Sequence, residues 1–97
     1  MDKYIDLIDE NCKMLWQAKN VDEQELIKII NDSTGEMMAG IEKMLSLGIQ
    51  FPVQYITEGL RHFEEAMQSQ DNYKLADFLC FEWKEIITVY NEIIAEI

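Results

Sequence analysis

His62 is the only histidine, four residues after Glu58 and three before Glu65. On a helix either carboxylate shares a face with the imidazole. Such a pair could take part in holding one metal ion. A carboxylate-bridged di-iron bundle needs more: a Glu and a Glu-x-x-His motif, each twice over. This chain has a single His, and Gly59 stands where the motif's Glu belongs. The spacing therefore favours a solvated histidine beside acids over a metal centre. Cys12 and Cys80 form no Cys-x-x-Cys motif, and no Ser/His/Asp or Cys/His set can be assembled around one histidine. The pair reads as reduced, half-buried small hydrophobes. No cofactor, catalytic residue or small-molecule substrate is indicated, and the expectation is a protein that is not an enzyme.

The elements that must carry these residues are legible from apolar spacing. Ile5, Ile8, Cys12 and Leu15 repeat at three and four residues, giving a first helix over 2–19 capped by Asp2. Asp22 and Glu25 resemble a capping box opening a second helix over 22–47. Its stripe is Ile27, Ile30, Thr34, Met37, Ile41 and Met44, and Gly48 suits a left-handed C-cap. Asn31-Asp32-Ser33-Thr34-Gly35 is poor helix material, so a kink or break near 31–35 competes with one long helix. Pro52 suits the start of a third helix over 52–69, with Val53, Ile56, Leu60, Phe63 and Met67 inward. Gly59 beside that stripe allows a neighbour to approach closely. A last helix over 72–95 starts at Asp71 or Asn72 and turns Ala76, Leu79, Trp83, Ile86 and Tyr90 inward. The sum is a single all-α domain, an antiparallel four-helix bundle.

Bulk composition narrows the partners. Nineteen acidic residues against eight basic give a formal charge of −11, which repels phosphate backbones and anionic membrane surfaces. Nucleic acid and membrane are therefore not expected partners. The opening residues, Met1 to Asp6, carry acids where a secretory leader is basic, so the expected setting is cytoplasmic.

The last helix is apolar on more than one face. At 100° per residue Phe81 falls nearly opposite the core stripe, with Phe78 on the same side. Glu82 falls between Phe78 and the stripe, where a half-buried carboxylate needs a partner such as Arg61. Leu75, Phe78, Phe81 and Glu82 are accordingly the candidate partner-binding surface. The competing expectation is that this helix is central and both rings are core. Among the methionines, Met37, Met44 and Met67 fall on core stripes and Met38 falls off them.

The segment Asp71-Asn72-Tyr73-Lys74-Leu75-Ala76-Asp77-Phe78-Leu79-Cys80-Phe81-Glu82 resembles a pattern in small uncharacterised all-helical cytoplasmic proteins of Firmicutes. There an Asp-Tyr pair precedes Leu-Ala-Asp-Leu-Leu and an aromatic-Glu pair. Tyr73, Leu75, Ala76, Asp77, Leu79, Phe81 and Glu82 match, whereas Trp83 and the tail to Ile97 depart from it. The resemblance implies a bacterial helical protein and carries no activity. At the level of fold alone the chain is similar to flagellar export chaperones, small acidic bundles that hold a partner's helix in an apolar groove.

These readings imply a non-enzymatic, chaperone-like interaction module of unknown pathway that binds a partner helix or itself through apolar surface on the last helix. One alternative is a metal-binding or enzymatic bundle using Glu58, His62 and Glu82. Another is a purely structural homodimer.

Overall fold

The computed structural model describes residues 1–97 and contains helices only. Helix α1 spans Asp2–Trp16, α2 Glu23–Ser46 and α3 Gln54–Ser69. The last helix runs without interruption from α4 (Asn72–Asp77) through a π-helical turn (Phe78–Trp83) into α5 (Lys84–Ala95). The bundle measures 44 × 22 × 20 Å. No helix is long and apolar enough to cross a membrane.

Local chemistry sets the helix ends. Asp22 accepts hydrogen bonds from the Gln24 and Glu25 amides at 2.9 and 3.4 Å. Asp71 does the same for Tyr73 and Lys74 at 3.0 and 3.3 Å. Each aspartate thereby satisfies amides that the helix geometry leaves without partners. Asp2 does not cap α1 but is its first helical residue. α2 closes in a Schellman motif, with Gly48 left-handed at φ 77° and the Ile49 amide bonded to the Met44 carbonyl at 2.8 Å. α1 closes the same way, at Trp16 rather than at the expected residue 19. There Ala18 is left-handed at φ 55° and the Lys19 amide reaches the Met14 carbonyl at 2.9 Å.

α2 is continuous through residues 31–35. Ser33 and Thr34 turn their hydroxyls back onto backbone, donating to the Ile29 and Ile30 carbonyls at 2.6 and 2.7 Å. Their polar groups are thus consumed inside the helix and do not break it. In its first half the buried stripe is Leu26, Ile29, Ile30 and Ser33. Ile27 is exposed and Thr34 half-buried, so the expected stripe lies about one residue out of phase there.

Long-range contacts fix the topology. Lys84 bonds Asp9, Cys80 meets Cys12 and Tyr73 packs on Trp16, so α1 and the last helix are antiparallel. Phe63 meets Phe78 and Gly59 meets Ile86, so α3 is antiparallel to it as well. Trp83 reaches Ser33 and Tyr90 reaches Gly40, so α2 runs parallel to it across the bundle. The last helix touches the other three and forms the centre of the core, with Leu79, Trp83 and Ile87 fully buried. Glycine at 59 is required by this packing: a Cβ there would stand 2.9 Å from the Trp83 ring. Cys12 and Cys80 bring their sulfurs into contact between α1 and the last helix, which corrects the reading of two unrelated cysteines.

Candidate functional site

The π turn decides which side chains of the last helix face outward. On a regular α-helix Phe78 and Trp83 would point roughly 140° apart. A π turn closes residue i onto i+5, so it carries an extra residue and brings the two onto one side. Their ring centroids lie 6.0 Å apart, and Phe78 also packs on Phe63 at 5.6 Å. Phe78 is therefore core, only 6% exposed, which corrects its assignment to an outer face shared with Phe81. Phe81 remains outside at 71% exposure, more than any other large apolar side chain. Leu75 is buried too and lines no part of the site below.

Beside Phe81 an open groove of about 940 Å³ runs between α3 and the last helix. Phe51, Phe78 and Ile86, all nearly buried, form its floor. Tyr55 from α3 and Phe81 from the π turn stand on either side, exposed at 53% and 71%. Asp77 marks one end along the last helix and Val89 the other, a run of roughly 18 Å at 1.5 Å per residue. Glu58, Glu82 and Glu85 complete the walls with His62.

Glu82 is held across the groove by His62, whose Nδ1 lies 2.7 Å and 2.9 Å from its two carboxylate oxygens. The expected Arg61 partner is instead engaged with Glu65 at 3.6 Å, its Nη2 lying 3.4 Å from His62 Nε2. The partner chosen by residue type was therefore one position off. His62 sits on the α3 face toward the last helix, so it reaches Glu82 rather than its own-helix neighbours Glu58 and Glu65. The structure brings Phe78, Phe81, Glu82, Glu58 and His62 to one groove and leaves Leu75 outside it. Nowhere do three His, Cys, Asp or Glu side chains gather closely enough to hold a metal ion.

A second polar cluster lies on the far side of the bundle, between α1 and α2. Tyr4 donates to Glu36 Oε1 at 3.0 Å and Lys3 pairs with the same oxygen at 3.2 Å. The Tyr4 hydrogen bond, with that of Lys3, holds the Glu36 carboxyl below its ordinary value. Burial pushes the Tyr4 phenol upward, and the bond to Glu36 pushes it further. Burial likewise raises Tyr90. Tyr4, Lys3 and Glu36 clamp α1 to α2 and take no part in the groove.

Sequence reasoning missed Phe51, in the turn between α2 and α3, and Tyr55 on α3, because neither lies on the heptad stripe. It also missed the π turn. The available signal was the crowded run Phe78-Leu79-Cys80-Phe81-Glu82-Trp83, which carries more large apolar side chains than one helical face holds. No family model, curated protein or solved structure matches this chain.

Proposed function

We propose that this protein is a non-enzymatic binding module that receives an amphipathic helix of another protein in the α3/last-helix groove. The observation that carries the reading is Phe81, which stands 71% exposed on the π turn above a floor of buried aromatic and aliphatic side chains. An exposed ring next to a preformed apolar groove is the arrangement that helix-in-groove recognition uses. π turns also recur at functional positions, because they spend a regular hydrogen-bond register to re-aim side chains. Holding a partner's helix in this way would be a chaperone-like role.

The test is an NMR titration of the labelled protein with short amphipathic helices. Amide shifts confined to Tyr55, Phe81, Val89 and their neighbours support the module. Saturating shifts elsewhere, or none with any helix, overturn it.

We also propose a cytoplasmic setting. Thiol pools there keep most cysteine pairs reduced. Alkylation of the protein in freshly lysed cells should then find Cys12 and Cys80 free, and a fully bridged pair would count against that compartment.

A further inference from the structure

We propose that the groove selects a cationic partner: a helix of about three turns with an apolar stripe flanked by lysine or arginine. This rests on the reading of the groove as a helix-binding site. Four of its 11 lining residues are carboxylates, Glu58, Asp77, Glu82 and Glu85, and none is Lys or Arg. The whole chain is acidic at 19 positions in 97, so the lining is more acidic than the molecule around it. The one basic group in the lining, His62, is already engaged with Glu82. Glu58 and Glu85 are exposed and have no ion-pair partner within 4 Å.

Geometry and charge point to the same occupant. The groove's run of roughly 18 Å accommodates about three helical turns, which present apolar residues at i, i+3 or i+4, and i+7. Those residues would meet Phe51, Phe78 and Ile86 on the floor. Flanking cations would then lie over the carboxylate walls and against the faces of Tyr55 and Phe81, where aromatic rings attract positive charge. A second copy of this chain is a poor occupant, because docking it would bring another molecule of charge −11 against the acidic rim.

The experiment uses three synthetic helices with one shared leucine stripe and lysine, glutamine or glutamate at the flanking positions. Affinity for the full chain is read by fluorescence anisotropy at low and high salt. The lysine helix should bind at least tenfold more tightly than the glutamine helix, with the advantage shrinking as salt rises. The Glu58→Gln, Glu85→Gln double variant should lose most of that advantage. A Glu10→Gln, Glu42→Gln double variant, altered at exposed acids outside the groove, should keep it. Equal binding of all three helices overturns the charge selectivity and leaves the groove reading standing. Equal loss in both double variants also overturns it, because attraction to the whole molecule would then suffice. Failure of all three helices to bind removes the groove reading itself, and with it this inference. Sedimentation of the protein alone tests the remaining occupant, since a dimer abolished by Phe81→Ala would overturn the proposal.

Discussion

Trp83 donates its indole N–H to the hydroxyl of Ser33 at 3.0 Å, with both side chains fully buried. The two residues lie 50 positions apart and join α2 to the π turn at the centre of the bundle. Ser33 in turn donates to the Ile29 carbonyl, so each polar atom of this pair is satisfied away from water. Removing the acceptor leaves a buried donor unpaired, which costs about 1–3 kcal/mol. Ser33→Ala should therefore lower stability by that amount in chemical denaturation. An unchanged midpoint would mean that the indole finds another partner.

Phe78 and Phe81 are three residues apart but belong to different regimes. Truncating a buried phenylalanine typically costs about 3–5 kcal/mol. Phe78→Ala should cost within that range, enough to unfold a marginal domain at room temperature. Phe81→Ala should stay within about 0.5 kcal/mol of the parent, as exposed substitutions do. Thermal melts of the two variants side by side check the assignment, and similar losses in both would refute it.

Ala18 occupies the left-handed C′ position that closes α1. A residue with a Cβ pays roughly 1 kcal/mol or more there, whereas glycine does not. Glycine's extra freedom in the unfolded chain offsets part of that gain. Ala18→Gly should raise stability by about 0.5–1 kcal/mol, visible as a higher melting temperature. A decrease would show that the strain is absent.

The Glu36 carboxyl sits below its ordinary value because Tyr4 and Lys3 bond its charged form. A depressed folded value means that the cluster's contribution is present above the unfolded value of about 4.5 and is lost as pH falls through the folded one. Glu36→Gln should consequently lower the melting temperature at pH 7, and the difference should shrink steadily below pH about 4.5. A difference independent of pH would contradict the account. In the opposite direction, Tyr4 has its phenol raised by burial. Its contribution is complete below 10 and is lost as pH rises through the higher folded value.

The four helices were readable because apolar side chains repeat at the period of the helix. Aspartates at 22 and 71 mark two starts, and Gly48 marks one stop. Gly59 was readable as a point of close approach. What sequence alone could not resolve has a common cause: it depends on which helix lies opposite. Ser33 looked like a breaker because its partner is Trp83, fifty residues away. Leu26 and Ser33 displace Ile27 and Thr34 from the core because α2 is rotated to meet that partner. Ala18 hides a C-cap that glycine would have announced. The π turn shifts the helical phase by one residue, so uniform 100° steps place Phe81 correctly and Phe78 wrongly. His62 and Glu82, like Cys12 and Cys80, meet only through antiparallel packing. The groove carries Phe81 and Glu82 from the expected partner surface and Glu58 and His62 from the metal-binding alternative, but its floor and its Tyr55 wall come from tertiary contact.

The central claim is that Phe81 anchors a partner helix in the groove. It is tested most directly by measuring the affinity of the leucine–lysine helix for Phe81→Ala and for the parent protein by calorimetry. Removal of an aromatic anchor typically costs 2 kcal/mol or more, so affinity should fall at least about thirtyfold while the melting temperature is unchanged. Equal affinity in the two folded proteins would contradict the account.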